Sequence, residues 1–315
     1  MPGNRLKATR EGYVEGLLEA GRRDQRVVVL DADVSRSIGS IRFAEEFPDR
    51  AFNVGVSEQD MMAEAAGLAL AGYVPFVGTY GVFVVGRAWD QLRTSVCYMG
   101  LDVKVGGAHA GVSVGPDGAT HQALEDIALT RVLPGMKVLT PADSNQTRAA
   151  VMEALRLDGP VYVRFGRNPV PQIYPGDVEL TAGKADVLEE GDDVALVACG
   201  VMVSEAMQAR KMLFKKGIRA EVVNMTSVKP LDEEVLIDAA RRTGRLVVAE
   251  DHQNHGGLYG AVSELICRSH PAAMASIAVG DSFGTSGSPR QVRSEYGLTA
   301  GAIAARAESL MEGKR

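Results

Sequence analysis

Cysteine is scarce and poorly placed for chemistry. Cys97, Cys199 and Cys267 are the three in 315 residues, odd in number, far apart and set in apolar runs. No C-x-x-C spacing joins them, so neither a disulfide framework nor a thiolate zinc site is expected, and a reducing cytosol fits. A basic block is also missing. Lysine and arginine (34) are scattered among 40 acids for a net charge of −6, which argues against a nucleic-acid or anionic-membrane surface. No stretch reaches the roughly 18 unbroken apolar residues that cross a bilayer. Met1–Arg10 is polar and basic, without the apolar centre of an export signal. These absences leave a cytoplasmic chain that meets neither membrane nor nucleic acid.

What is present is an ordinary globular composition, 46% hydrophobic and 23% charged, long enough for two domains with separate cores. Short apolar runs recur at Val27–Leu30, Ala51–Val54, Val74–Val77, Val103–Val105, Lys137–Leu139 and Val161–Arg164. They are continuous rather than alternating, as strands buried on both faces require, and helical spacing fills the gaps, as in Ala63, Ala66, Gly67 and Leu70. This βα repeat predicts a parallel sheet over residues 1–170. Prolines, glycines and acids then mark a linker at 171–192. A second βα series over 193–315, with runs at Val194–Ala198, Ala220–Val223 and Leu246–Ala249, predicts a smaller α/β domain. There Gly256-Gly257 lets a helix start beside a strand end, and Gly284 to Pro289 reads as a loop before the last helix.

Three stretches could carry chemistry. Gly55-Val56-Ser57-Glu58-Gln59-Asp60 follows a buried strand and opens a helix, so Glu58 sits at the sheet edge where ligands collect. Ser57 and Asp60 also match a helix-capping pattern that needs no catalytic purpose, and the hexapeptide alone leaves both readings open. The glycine-dense segment 106–122 holds His109, Asp117 and His121 ahead of a helix beginning near Gln122. Glycine supplies no side-chain packing, which favours an active-site loop over core, although Pro116-Asp117-Gly118 is also an ordinary turn sequence. Arg164 and Arg167, in Arg164-Phe165-Gly166-Arg167-Asn168-Pro169, could hold an anion or pair with the linker acids.

The motifs in order resemble the transketolase family over nearly the whole chain. They are Gly-Val-Ser-Glu-Gln-Asp (55 to 60), Thr-Tyr-Gly-Val-Phe-Val-Val-Gly-Arg-Ala-Trp-Asp-Gln (79 to 91), Gly-Pro-Asp-Gly-Ala-Thr-His-Gln (115 to 122) and Leu-Thr-Pro-Ala-Asp (139 to 143). Glu250 to Gly257 and Phe283 to Pro289 extend the match into the second half. The resemblance implies a pyrimidine-binding domain plus a transketolase C-terminal domain, with thiamine diphosphate as cofactor. It implies that Glu58 donates a proton to the cofactor's aminopyrimidine, which demands an acid kept protonated by burial. It places Tyr80 and Phe83 beside that ring, although core packing through Trp89 is their plainer reading, and it makes Asp33 a further cofactor contact. It gives His121, Asp117 and His109 to proton movements at the substrate, and Arg10, Ser37, His109 and Arg167 to a sugar phosphate. Arg164 competes with Arg167 for that anion, because deoxyxylulose-phosphate synthases carry a comparable arginine slightly earlier.

A Gly-Asp-Gly motif for metal and diphosphate is absent: Gly191-Asp192-Asp193 and Gly280-Asp281-Ser282 lack its second glycine. The resemblance therefore implies that no metal ligand comes from this chain. An N-terminal-section, diphosphate-binding subunit would hold Mg2+ or Ca2+, in an α2β2 heterotetramer acting on a phosphorylated sugar. The reading is a split transketolase moving a two-carbon ketol unit from a phosphoketose to an aldose. Its rivals are a subunit of deoxyxylulose-phosphate-synthase type, a 2-oxo-acid dehydrogenase β-type subunit, and a non-catalytic scaffold.

Overall fold

Residues 6–313 are described by a computed structural model; Met1 to Arg5, half of the polar N-terminal stretch, lie outside them. The six apolar runs of the first half, joined by Ser227–Lys229 of the second, assemble into a seven-stranded sheet. Its order is Ser227–Lys229, Lys137–Leu139, Val161–Arg164, Lys104–Ala108, Val74–Tyr80, Val27–Asp31, Ala51–Asn53. Neighbours pair in parallel except at the Ser227–Lys229 edge. Val27–Asp31 is buried throughout: Val28 and Leu30 enter one apolar cluster, Val27 and Val29 another. Alternate side chains feeding opposite faces explain why the run is apolar without a break.

The second sheet has the order Ala273–Val279, Arg245–Gln253, Val194–Ala198, Ala220–Asn224, Asp186–Glu189, parallel except for the last pair. Leu6–Ala8 and Pro169–Pro171 form a small antiparallel pair. Two largely parallel sheets covered by helices are the expected α/β architecture.

Several expectations need correction. The stretch read as a linker, 171–192, contributes Asp186–Glu189 as a strand of the second sheet. That strand is outermost and partly exposed, so it carries acids instead of an apolar run. Ala273–Val279 escaped notice for the same reason: as the other edge it is built of alanine, serine and methionine as much as of β-branched residues. The cores are not separate, because one apolar cluster holds Val77 and Val105 of the first sheet together with Val197 and Leu236 of the second half. The helix expected near Gln122 starts at Asp126, and the loop before Pro289 leads into Pro289–Glu295 ahead of the last helix, Ala300–Met311.

The glycine-dense segment is partly core. Gly107 lies within a buried strand, and a side chain there would come within 1.9 Å of the Tyr162 hydroxyl oxygen. Glycine adds no contact of its own, but its missing Cβ makes the space that Tyr162 fills.

A buried polar knot joins the two halves. Arg164 donates to both carboxylate oxygens of Asp126, at 2.7 and 3.0 Å, and to the carbonyl oxygens of Ala123 and Asp251, at 3.0 and 2.9 Å. The Tyr162 hydroxyl donates to Asp126 at 2.6 Å. Burial opposes both charges, but the pairing prevails: Asp126 is held below the ordinary carboxylate range and Arg164 is pushed further up. Removing one partner strands a charge in the interior. Asp126→Ala is therefore expected to lower stability by roughly 3–5 kcal/mol. Breaking the exposed Lys216–Glu308 pair with Lys216→Ala should cost less than about 1 kcal/mol. Urea unfolding of the purified chain measures both, and comparable losses would contradict this account of the seam.

Candidate active site

From Val27–Asp31 the chain adds Ala51–Asn53 on one side and Val74–Tyr80 on the other, so the strand order reverses there. Open α/β sheets bind ligands at such a reversal, beyond the carboxyl ends of the strands. Asp33, Ser37, Asn53 and Tyr80 line a cavity at those ends. Ser37 Oγ lies 2.8 Å from the Tyr80 hydroxyl, and Asn53 donates to Asp33 at 3.0 Å. Asp33 adopts a left-handed backbone, with φ of 61°, a strained conformation that tends to gather at functional sites.

Glu58 is the first residue of the helix Glu58–Leu70 and is buried, at 2% exposure. The capping explanation is not realised, since the Ser57 hydroxyl donates back to the Val54 carbonyl at 2.8 Å and no side chain caps the helix. Glu58 instead accepts from Arg87 at 2.9 Å, which corrects the expectation that burial alone governs this acid, since a guanidinium at the carboxylate opposes the effect of burial. The guanidinium of Arg87 also lies over the Phe83 ring, 4.5 Å from its centre.

Tyr80 and Phe83 belong to a cluster of rings, although Tyr80 also packs against an apolar cluster of the first sheet. Tyr80 stands 4.5 Å from His109 and 5.8 Å from His121, and Phe83 stands 5.3 Å from His121, centre to centre. Both are half-buried, leaving ring area free. Trp89 turns away, donating its indole N–H to the Leu129 carbonyl.

His109 is fully buried, with a φ of 55°, and neither ring nitrogen has a hydrogen-bond partner. Such orphaned groups are rare in folded proteins because each forfeits its hydration without replacement. Burial, then the nearby charges of Arg167 and Arg10, push its pKa down to about 4. At neutral pH His109 thus offers one donor and one acceptor and no charge.

The residues assigned to an anion are drawn together from distant points in the chain. The Arg10 backbone N–H donates to the Gly166 carbonyl at 3.1 Å and its side chain to the Ser37 carbonyl at 2.6 Å. Arg167 is exposed and contacts both oxygens of Asp117 at 3.1 Å. Arg164, its competitor, is spent on Asp126 and buried, so of the two arginines Arg167 is the one a ligand can reach.

The second half of the chain shapes this site, which sequence reasoning missed. The buried Asp251 carboxylate accepts the N–H groups of Val112 and Ser113 at 2.9 and 3.3 Å. A Cβ on Gly111, where φ is 78°, would lie 2.2 Å from that carboxylate. Gln122 donates to the carbonyls of Val112 and Thr285, and Ser286 Oγ lies 2.4 Å from where a Cβ on Gly118 would stand. The acidic run Glu250-Asp251 was the available signal, but an acid's partner 139 residues away leaves no trace in local spacing. Among the described residues no group of three or more His, Cys, Asp or Glu could hold a metal ion.

The environment of His109 has a pH signature. An unfolded histidine takes up its proton near pH 6.5, whereas the folded one refuses it until about pH 4. Between these values the unfolded state binds more protons, so stability falls as the pH drops through that window and is unaffected above it. His109→Gln should flatten the decline between pH 6.5 and 4, and in the parent chain the His109 ring signals should remain those of neutral imidazole at pH 5.5. An imidazolium spectrum there would contradict the burial.

Residues 6–172 match the transketolase pyrimidine-binding domain and residues 183–303 the transketolase C-terminal domain. A 6-deoxy-6-sulfo-D-fructose transketolase subunit of Clostridium sp. is 41% identical over 97% of this chain and 95% of its own length. An apulose-4-phosphate transketolase subunit from Phocaeicola vulgatus is 38% identical over 94% of this chain and 95% of its own length. A solved chain described as a split gene transketolase in an inactive β4 tetramer superposes with a TM-score of 0.92, at 46% identity, covering 98% of this chain and 99% of that one. Fold, sequence and motif order agree: the chain belongs to the transketolase family, of which it carries the pyrimidine-binding and C-terminal domains.

Proposed function

We propose that this chain is the pyrimidine-binding subunit of a two-subunit, thiamine-diphosphate-dependent transketolase. It moves a two-carbon ketol unit from an anionic ketose, most simply a phosphoketose, to an aldose. A second, diphosphate-binding subunit supplies the metal and diphosphate ligands, in an α2β2 assembly. The observation that carries the reading is the pairing of a buried acid, Glu58, with a partly open aromatic face, Phe83, at the strand-order reversal. An acid to bond a ring nitrogen and an aromatic face to stack on are the two things an aminopyrimidine asks of a protein, so the residues present fit that end of the cofactor. When bound, thiamine diphosphate supplies the carbanion chemistry.

The chain's own residues have separate tasks in this reading. Glu58 orients the pyrimidine by bonding its ring nitrogen, with Phe83 and Tyr80 beside it and Asp33 at the mouth of the neighbouring cavity. His121 and Asp117, on the same loop, move protons at the substrate hydroxyls. His109 holds a substrate oxygen as a neutral hydrogen-bonding group. Arg10 and Arg167, with Ser37, hold the distal anion. Arg167 must exchange Asp117 for that anion, a small cost for a pair open to water. The named relatives differ in the anion they carry, a sulfo group in one and a phosphate in the other, and two arginines with a neutral histidine suit either.

The test is to purify the chain with a diphosphate-domain transketolase subunit from the same organism and assay thiamine-diphosphate-dependent transfer from a panel of phosphorylated and sulfonated ketoses. The mixture is expected to transfer and the chain alone to be inactive. Activity of the lone chain, or release of carbon dioxide from pyruvate as the main reaction, would overturn the proposal. Glu58→Gln should lower turnover of the mixture by at least about 100-fold while co-purification with the partner is unchanged. Full activity in that variant would reduce Glu58 to a structural acid.

A further inference from the structure

Arg87 meets both surfaces assigned to the cofactor ring. Its Nη1 donates to Glu58 Oε2 at 2.9 Å, and its Cζ lies 4.5 Å from the centre of the Phe83 ring. A guanidinium is flat, delocalised and rich in donors, so it can stack on an aromatic face and bond a carboxylate in one pose. An aminopyrimidine is also flat and also presents polar groups at its rim. We propose that Arg87 is a resident surrogate for the aminopyrimidine: it fills the ring's seat between Glu58 and Phe83 in the unpartnered chain and is displaced when the cofactor enters. The inference rests on the proposed function, since it takes Glu58 and Phe83 to be the ring's contacts.

The local structure suits an exchangeable occupant. Glu58 is 3% exposed at its side chain and would otherwise leave a bare carboxylate in the protein, whereas the Arg87 side chain is 48% exposed and can withdraw into water. The main chain and side chain of Arg87 are held separately. Its backbone carbonyl, which receives Gln59 at 3.2 Å, secures the main chain at the end of the helix Gly81–Gly86, and only the side chain depends on Glu58 and Phe83. The side chain can therefore leave without moving the helix. Binding becomes an exchange of one planar cation for one planar ring and one proton, which Glu58 takes up from solvent as the guanidinium leaves and then shares with the ring nitrogen, and the cofactor's apparent affinity is reduced by whatever Arg87 gains from its seat.

The test uses the complex with the diphosphate-domain subunit and measures thiamine diphosphate binding in the presence of magnesium, by calorimetry and without substrate. Arg87→Met and Arg87→Gln are each expected to tighten binding by about 3- to 30-fold, the range spanned by one exposed ion pair and one cation–π contact. Adding Glu58→Gln to either variant should shrink that gain, because the competition is for Glu58 itself. Unchanged or weaker binding in both arginine variants would overturn the surrogate role, as would a gain that persists undiminished in the Glu58→Gln background. Failure of the parent complex to bind thiamine diphosphate at all would instead overturn the functional proposal.

Discussion

The Arg164 guanidinium, buried between Asp126 of the first domain and the Asp251 carbonyl of the second, is the contact on which the remaining geometry hangs. Neither charge could stand in the interior alone; together, and with the Tyr162 hydroxyl, each justifies the other. Asp251 then works from both ends. Its carbonyl meets Arg164, while its carboxylate gathers the Val112 and Ser113 N–H groups. The loop bearing His109, Asp117 and His121 is thus moored to a strand of the other domain, and the site's shape depends on that domain although most of its chemistry comes from the first.

That mooring accounts for the uncommon features nearby. His109 occupies a left-handed backbone conformation and is buried with both ring nitrogens unpartnered, a combination that a free loop would relax. Held from behind by Asp251 and by the Thr285 carbonyl through Gln122, it cannot. The cost of keeping an unsatisfied histidine is met by the surrounding packing, a pattern typical of sites shaped for a ligand.

The charged groups of the site come already paired: Glu58 with Arg87, Asp117 with Arg167, and Arg10 with a backbone carbonyl. Under the proposed function, ligand binding is therefore substitution rather than addition. A site that supplies its own counterions stays folded without its ligands, and it gives up little on exchange because the side chains of Arg87 and Arg167 are nearly half exposed.

The sequence by itself determined the α/β class, six of the seven strands of the first sheet and the motifs that carry Glu58, Tyr80, Phe83, His109, Asp117 and His121, since unbroken apolar runs and glycine-rich turns are local patterns. Edge strands such as Asp186–Glu189 and Ala273–Val279 were hidden, because a strand covered on fewer sides needs no apolar run. The tertiary structure gives Arg164 and Arg167 different surroundings, which the sequence could not show. One ends the strand Val161–Arg164 and the other lies three residues beyond it with the same chemistry, and what separates them is that Asp126 and Asp251 reach one and water reaches the other. The same holds for Arg87, whose place over Phe83 and against Glu58 depends on how two helices pack. Burial and partnership across long stretches of chain are not written in spacing; they arise when the chain closes on itself.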